Sequence, residues 1–581
     1  MASNDQILRW LMENDQDSDH ITESEEEEED PTRLRHLSED SSHDSESEQE
    51  AEVVDESTNQ DSEDDDVPLS RLASYQSRNG TEWSKFPPCT TRTRSHNIVA
   101  RPPGPIGLAR DAKSALQSFI LFFDSDILNI IVESTNIYID IIKSKFQKER
   151  DAANTNIVEI RALIGLLLII GTCRSGRRNI QDIWDNSKGC GIEMAYTTMS
   201  EKRFRFLLRV LRFDDVRDRQ ACSQTDRLAA IRQITNKMVQ NCRHYYTPSE
   251  NLTIDEQLVA FKGRCGFVMY MPNKPAKFGI KIIMVVDVKY PYVYNFETYV
   301  GMQPEGPFRQ SNKVPDIIHR ILNPLYGLGC NVTMDNWFTS IPVCKELLSQ
   351  KITTVGTLKK NKPEIPELFK TTQGKILCES TFGFQSDCTL VSYVPKKNKV
   401  VLLLSTLHND NKIGSDSGEE NKPEIITFYN KTKCGVDIFD KMCRQYDVTR
   451  TTRRWPVTLF YNLLNMAGIN GLVIHQMNNP EKKVIRRHFL QEVAFELTRP
   501  LIEYRISQKN IPRGIKLKAR LLLGLTENST QLTLPIRTGV GRCAFCTRAR
   551  DRSTRKRCEN CMKPVCTEHQ VLLCPECKEM D

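Results

Sequence analysis

Hydrophobic positions follow two different spacings along the chain. From about residue 112 to 248, apolar residues recur at i, i+3 and i+4, as in ALQSFILFFDSDILNIIVESTN, which predicts amphipathic helices. From about 250 to 360, short runs such as NLTIDEQLVAF and KFGIKIIMVVDV predict strands, followed by helix, strand, helix and strand. Poorer strands between polar loops occupy about 361–427, and helical spacing returns from about 428 to 525. This order predicts a mixed α/β fold.

Acidic residues dominate the amino-terminal end. Residues 1–70 contain 26 Asp and Glu but only 3 Lys and Arg, whereas the 581-residue chain has a formal net charge of +5. The rest of the chain is therefore basic, which is typical of proteins that bind polyanions, although an ordinary lysine-rich surface is the alternative. We predict a disordered acidic tail over 1–85, because it has too little apolar surface for a core, and a basic, proline-rich linker over 86–111.

The sequence predicts neither a signal peptide nor a membrane span. The start, MASNDQILRW, lacks a basic segment followed by an apolar one. The longest apolar run, Ala162 to Cys173, is shorter than the roughly 20 residues that cross a bilayer, and it predicts a buried helix. We expect no membrane partner. Seven of the 19 cysteines lie between Cys543 and Cys577 and the others are scattered, which favours a reducing compartment with a local metal site.

The carboxyl-terminal cysteines have the spacing of zinc ligands. Eight ligands occur in four close pairs, which predicts two tetrahedral Zn²⁺ sites. Interleaved pairing assigns Cys543, Cys546, Cys566 and His569 to one ion, and Cys558, Cys561, Cys574 and Cys577 to the other. Ubiquitin ligases and lipid-binding or histone-reading modules share such sites, but the basic loop TRARDRSTRKR favours nucleic acid.

Three aspartates lie in segments that otherwise read as core. Asp255 follows LTI and is expected near the end of a strand, Asp335 follows the strand NVTM, and Asp437 is expected at the start of a helix. One such residue alone is most simply a surface carboxylate in a turn. Three brought together would repel unless a divalent cation neutralised them, and hard oxygen ligands suit Mg²⁺ or Mn²⁺. Paired metals of this kind serve phosphoryl displacement.

Four longer motifs carry a resemblance to a known family. NLTIDEQLVAFKGRCGFVMYMPNKPAKFGIKI, TMDNWFTSIPVCKELL, VGTLKKNKPEIP and YNKTKCGVDIFDKMCRQYDVTRTTRRWP together resemble the piggyBac family of DNA transposases, from about residue 115 to the carboxyl terminus. The resemblance implies a ribonuclease H-like core with catalytic Asp255, Asp335 and Asp437. Asp440 matches a fourth acidic position; whether it is a ligand or a supporting residue stays open.

The resemblance also implies a domain plan. A split helical domain for dimerisation and DNA binding (112–249 and 448–525) surrounds a split catalytic domain. The catalytic parts are 250–360 and 428–447, with a β-rich insertion at 361–427. A linker at 526–541 leads to the cysteine-rich domain at 542–581, which in the family recognises terminal inverted repeats.

The activity that the resemblance implies is cut-and-paste transposition of double-stranded DNA. The element is nicked, released through hairpin formation and joined to TTAA targets by a homodimer or a higher-order assembly, with a nuclear location expected. DNA contacts are implied for Asn336, Trp337, Lys359, Lys362 and Trp455. Trp455 is equally interpretable as packing at a helix start, and the lysines as a solvated loop. Position 359 is Lys where piggyBac itself has Arg, so a planar two-pronged contact is lost there.

Two further hypotheses come from other functional classes. A domesticated derivative would bind DNA without cleaving it, but the intact aspartates favour catalysis. A zinc-finger adaptor or ubiquitin ligase would leave those aspartates unexplained.

Overall fold

The computed structural model describes residues 49–50, 73–88, 101–187, 189–272, 274–525, 539–557 and 563–570. The chain divides into two compact units, residues 1–523 and 524–581. Most of the predicted acidic tail lies outside the described residues, as do Cys558, Cys561, Cys574 and Cys577.

One mixed sheet of twelve strands forms the centre of the first unit. The strands of this unit are β1 (Gln49–Glu50), β2 (Ser74–Gln76), β3 (Glu82–Ser84), β4 (Gly104–Pro105), β5 (Tyr246–Thr247), β6 (Asn251–Ala260), β7 (Val268–Tyr270), β8 (Phe278–Asp287), β9 (Val293–Thr298), β10 (Asn331–Met334), β11 (Thr353–Thr357), β12 (Ser380–Phe384), β13 (Thr389–Lys396) and β14 (Lys399–Ser405). The order across the sheet is β2-β3-β12-β13-β14-β11-β10-β6-β8-β7, with β1 on β14 and β9 on β8, while β4 and β5 form a separate pair. Among these strands, β10 pairs in parallel with β6 and β11, and the remaining pairs are antiparallel.

Helices precede, interrupt and follow the sheet. They are α1 (Ala115–Ile120), α2 (Ser125–Ile142), α3 (Ile157–Thr172), α4 (Ile180–Trp184), α5 (Glu193–Thr198), α6 (Glu201–Val210), α7 (Arg219–Ser223), α8 (Arg232–His244), α9 (Val314–Leu322), α10 (Ile341–Ser349), α11 (Glu367–Lys370), α12 (Glu424–Thr432), α13 (Gly435–Gln445), α14 (Trp455–Asn478), α15 (Arg486–Ser507) and α16 (Arg513–Leu522). Side-chain oxygens start several of them: Ser114 caps α1, Asp124 caps α2 and Asn156 caps α3. The helical and strand segments predicted from the two spacings are therefore present.

Two helices from opposite ends of the sequence pack at the centre of the helical part. α3 is apolar around its whole circumference and is buried from Ala162 to Thr172, which confirms the predicted buried helix. It packs on α15 so closely that a Cβ added at Gly165 would lie 2.7 Å from the carbonyl oxygen of Ala494. This contact joins residues that precede β6 to residues that follow β14.

α14 is the one helix in the described part of the chain that is long and apolar enough to cross a membrane by length and composition. The whole apolar window is buried inside the protein. Asn470 of this helix bonds to the backbone of β9 through Val293, as expected for a helix in a protein core.

The disordered tail predicted for residues 1–85 extends too far along the chain. Residues 73–88 fall partly within 1–85, yet β2 and β3 form a hairpin that extends the central sheet through Ser84 and Phe384. Asn79-Gly80 is a turn signal, and Gly80 has φ +84°. Tyr75 packs edge-to-face on Phe369, and Trp83 is fully buried. These two aromatic side chains give the hairpin the apolar contacts that the acidic composition of residues 1–85 did not predict.

The strands of the predicted β-rich insertion are continuous with the central sheet. β14 pairs with β11 through Val355 and Ser405, so β12, β13 and β14 extend the same sheet rather than forming a separate body. α12 begins at Glu424, inside the range predicted for the insertion.

Candidate active site

The two strands that carry the first two aspartates run side by side in parallel. The last paired residues are Ile254 of β6 and Met334 of β10, so Asp255 and Asp335 come next on the two chains. Asp255 is not at a strand end as expected, because β6 continues to Ala260 alongside β8. It lies where the neighbouring strand β10 stops, which opens one side of β6 to a cavity. Turns at such strand ends are common ligand sites in open sheets.

Backbone groups hold Asp335 in place after β10. Its Oδ1 accepts hydrogen bonds from the backbone N–H groups of Trp337 at 2.9 Å and Phe338 at 3.2 Å. This turn fixes the direction of the carboxylate.

The third aspartate lies on α13, and the start of this helix packs against β6. Asp437 lies in the first turn of α13, as predicted. The hydroxyl of Thr253 in β6 donates to the carbonyl oxygen of Thr432 at the end of α12. The helix start approaches so closely that a Cβ added at Gly435 would lie 3.1 Å from the Thr253 hydroxyl. Glycine therefore allows α13 to place Asp437 next to the strand.

All four predicted acidic residues line one cavity of about 400 Å³. Oxygens of Asp255, Asp335 and Glu256 lie within 4.8 Å of one another, a spacing compatible with a metal ion. Asp437 is exposed and lines the cavity but is not part of that group. The structure thus brings two of the three predicted catalytic residues together directly and places the third in the lining of the same cavity.

Glu256 and Lys281 were not predicted from the sequence. Glu256 is 3% exposed, and Lys281 in the middle of β8 is 1% exposed, with its Nζ 4.0 Å from the centre of the Trp337 ring. Register places Lys281 opposite Leu258, diagonal to Glu256 on the same face. In the sequence, Lys281 is a charged residue inside the apolar run FGIKIIMVV. A sequence pattern alone cannot assign such a residue to a site.

Burial and mutual repulsion change the acidity of this group. Burial, and then the charges of Glu256 and Asp335, raise the pKa of Asp255 well above its usual value. Burial and the charge of Glu256 raise the pKa of Asp335 to about 6, although the backbone N–H groups oppose this. Burial lowers the pKa of Lys281, and the three carboxylates counter it. A divalent cation would relieve this repulsion, and oxygen donors suit Mg²⁺ or Mn²⁺.

Three cations line the same cavity and were not predicted either. Lys274 follows β7, Lys433 lies between α12 and α13, and Arg444 lies near the end of α13. Lys274 Nζ donates to the carbonyl oxygen of Glu256 at 3.3 Å. The cavity therefore combines a carboxylate group with cations that can face phosphates.

The residues predicted to contact DNA are distributed unevenly. Asn336 is 7% exposed and lines the cavity, and half-buried Trp337 follows it beneath Lys281. Lys359 and Lys362 are half-buried in the loop after β11 and do not line the cavity. Trp455 packs edge-to-face on Phe267 at 5.0 Å, so the packing alternative describes its position here, while its DNA contact stays a prediction.

The second unit contains one of the two predicted zinc sites. It has strands β15 (Gly541–Arg542) and β16 (Ser553–Thr554). Cys543, Cys546, Cys566 and His569 lie together, in the grouping that interleaved pairing predicts. The Sγ atoms of Cys546 and Cys566 are 3.7 Å apart, and His569 Nδ1 lies 3.3 Å from Cys566 Sγ and 3.6 Å from Cys546 Sγ. Ligands about 2.0–2.3 Å from a tetrahedral zinc ion are separated by such distances.

The sulfur chemistry also fits a cation. A hydrogen bond from the backbone N–H of Cys566 lowers the pKa of Cys543 to about 6, whereas burial and the neighbouring Cys566 and Cys543 raise the pKa of Cys546 to about 11, a repulsion that a bound cation would relieve. The thiolate is the form that binds a metal.

Comparison with known proteins identifies the family. The family model described as "Transposase IS4" matches residues 114–472. PiggyBac transposable element-derived protein 2 of Homo sapiens is 21% identical over 390 residues, which cover 65% of this chain and 64% of that protein. PiggyBac transposable element-derived protein 3 of Homo sapiens is 21% identical over 392 residues, covering 64% and 63%. The match therefore spans just under two thirds of the length of these relatives.

A solved structure matches more completely. The cryo-EM structure of a piggyBac transposase synaptic complex with hairpin DNA has a TM-score of 0.73 and 34% sequence identity, covering 82% of this chain and all of that chain. The family match over most of the folded body and this likeness lead to one conclusion: the chain belongs to the piggyBac-type transposase family.

Proposed function

We propose that the chain is a metal-dependent DNA transposase that excises and integrates an element by cut and paste. The observation that carries the proposal is one cavity lined by Asp255 in β6, by Asp335 directly after the neighbouring parallel strand β10, and by Asp437 in the first turn of α13. The relative with 34% identity was solved with hairpin DNA, which supports double-stranded DNA as the substrate.

Asp255, Asp335 and Asp437 would hold Mg²⁺ or Mn²⁺, which supplies activation of a nucleophile and stabilisation of charge on the phosphate. The exposed carboxylate of Asp437 has the freedom to turn toward the other two. Lys274, Lys433 and Arg444 neutralise the backbone of a strand that enters the cavity. The cluster of carboxylates alone would repel DNA, so these cations are needed for binding.

The individual steps of the reaction are proposed by analogy with the family. A nick at the element end, hairpin formation, and joining to TTAA are proposed, with terminal inverted repeats as the recognised ends. A homodimer in the nucleus is the proposed working form. Lys359, Lys362, Asn336, Trp337 and Trp455 remain the proposed DNA contacts outside the carboxylate group, with helical domains at 112–249 and 448–525 as the proposed DNA-binding and dimerisation parts.

Two zinc ions are proposed for the carboxyl-terminal domain, which would recognise the inverted repeats. The Cys543 group supports the first ion through its interatomic distances. Removing zinc with a zinc-selective chelator in the presence of excess Mg²⁺ should weaken binding to repeat DNA, because so short a segment depends on metal for its fold. Mg²⁺-dependent nicking of non-specific duplex should stay unchanged. Cys543→Ser should reproduce the effect, whereas Cys222→Ser, at an exposed cysteine of the first unit, should not.

The test of the main proposal is nicking of a duplex that bears the element's ends, measured with Mg²⁺, with Mn²⁺ and with chelator. Asp335→Asn should abolish nicking and retain DNA binding. Asp316→Asn, an exposed aspartate of α9 outside the cavity, is the matched control and should cut normally. Normal nicking by Asp335→Asn would show that the catalytic assignment is wrong.

The same assay separates the alternatives. A domesticated derivative would bind end DNA without metal-dependent nicking in the unmodified chain. A zinc-finger adaptor or ubiquitin ligase would show neither specific end binding nor nicking.

A further inference from the structure

Two amide side chains connect the strand that carries Asp255 to the helix that carries Asp437. Gln257 lies two residues after Asp255 on the same face of β6, and its Nε2 donates to Oδ1 of Asp440 at 2.8 Å. Asn462 of α14 donates from Nδ2 to Oε1 of Gln257, also at 2.8 Å. Gln257 is 2% exposed and Asn462 is 5% exposed, so the bond between them is buried, and the bond from Gln257 to Asp440 is partly buried. These bonds join β6, α13 and α14 in one network.

The network occupies both oxygens of the Asp440 carboxylate. Oδ1 accepts from Gln257, and Oδ2 pairs with Arg444 one turn further along α13. Asp437 differs, because in the described part of the chain its carboxylate makes no hydrogen bond or ion pair and it is exposed to the cavity. Asp437 is therefore free to turn toward a cation, whereas one part-buried and one exposed interaction hold the Asp440 carboxylate in its present position.

We propose that Asp440 is a positioning residue rather than a metal ligand. Gln257 is oriented by its hydrogen bond from Asn462 and donates a hydrogen bond to Asp440. This bond fixes α13 against β6. This places Asp437 across the cavity from Asp255. The inference rests on the proposed metal-dependent function, since it assigns a role within that site.

The donor and acceptor roles in this network can be exchanged by mutation. Gln257→Glu replaces the donor by a carboxylate next to the carboxylate of Asp440, so two like charges oppose each other at a partly buried contact. Adding Asp440→Asn to this variant restores a donor at position 440, which can bond to the introduced carboxylate, and Asn462 still donates to its other oxygen. Asp440→Asn alone keeps an oxygen that can accept from Gln257.

The experiment measures Mn²⁺ affinity of the full-length chain by electron paramagnetic resonance. Gln257→Glu should weaken Mn²⁺ binding at least about tenfold, because a displaced α13 carries Asp437 away. The double variant should return to within about threefold of the unmodified chain, as should Asp440→Asn alone. If Asp440 were a ligand, Asp440→Asn would lose as much affinity as Asp437→Asn, and the double variant would bind more weakly than Gln257→Glu. Either of these results, or Mn²⁺ binding by Gln257→Glu at the unmodified level, overturns the inference.

Two further measurements separate this inference from the proposed function. Asp255→Asn and Asp437→Asn should both weaken Mn²⁺ binding; if neither does, the proposed metal site fails whatever Asp440 does. Hydrogen exchange of Gly435–Gln445 without metal then still tests the network. Exchange should be faster in Gln257→Glu and restored in the double variant, and equal rates in both variants contradict the proposal.

Discussion

Trp83 offers the sharpest test of the amino-terminal hairpin, because it is the main link between this hairpin and the catalytic body. The side chain is fully buried, and its Nε1 donates to the carbonyl oxygen of Glu364 at 2.9 Å. A Cβ added at Gly383 in β12 would lie 3.1 Å from the Trp83 Cβ, so the strands β12 and β3 are in close contact. We predict that Trp83→Ala releases the hairpin and loosens the loop that contains Lys359 and Lys362.

The size of the effect follows from burial. Truncating a buried tryptophan to alanine costs about 3–5 kcal/mol. Trp83→Phe keeps most of the ring contacts but leaves the Glu364 carbonyl without its donor, which costs about 1–3 kcal/mol. A hairpin of two short strands has little stability by itself, so the loss should appear as local opening rather than as global unfolding.

Hydrogen exchange with mass spectrometry measures this opening in the full chain. Amides of residues 73–88 and 359–369 should exchange about 10²-fold faster or more in Trp83→Ala, because 1.4 kcal/mol corresponds to a factor of ten. Trp83→Phe should give a smaller increase. Phe86→Ala is the matched control, because Phe86 lies in the same segment but is 68% exposed, and it should change exchange little. Equal exchange in Trp83→Ala and Phe86→Ala would refute the reasoning.

Three further predictions follow from buried groups. Gly356→Ala would place a Cβ 2.2 Å from Thr339 Oγ1 and should lower stability by about 1–3 kcal/mol in denaturant titrations, whereas Gly514→Ala, with no heavy atom within 4 Å, should not. Lys281→Met removes the buried cation beside the carboxylates and should lower the free energy of unfolding by about 3–5 kcal/mol in chelator. In thermal unfolding, adding Mg²⁺ should raise the melting temperature of this variant more than that of the unmodified chain. Burial lowers the pKa of His408 to about 4, so the unfolded chain binds more protons between pH 4 and about 6.5 and stability should fall as pH drops through that range. His408→Gln should flatten this pH dependence in unfolding curves, and an unchanged slope would count against a neutral, buried imidazole.

Much of the fold was predictable because its signals are local. The spacing of apolar residues indicated the long helices and the strands of the sheet, and the hairpin signal was also present. Asn79-Gly80 stands between segments that contain Tyr75 and Trp83, but the prediction for residues 1–85 was based on their acidic composition. Composition averages over a segment, whereas one fully buried tryptophan is enough to anchor it.

The geometry of the site was less predictable, because it depends on contacts between residues that are remote in sequence. Asp255 reads as a strand end in sequence, but the cavity beside it is created by where β10 stops, not by where β6 stops. The position of Asp437 depends on Gly435 meeting Thr253 and on Gln257 meeting Asp440, and no spacing rule reports such contacts. The motifs therefore point to the carboxylates of the proposed site, while the threonine and glutamine side chains of β6 contact the helices around Asp437. A variant that keeps every aspartate but disturbs this face of β6 should therefore lose the metal site as surely as one that removes a carboxylate.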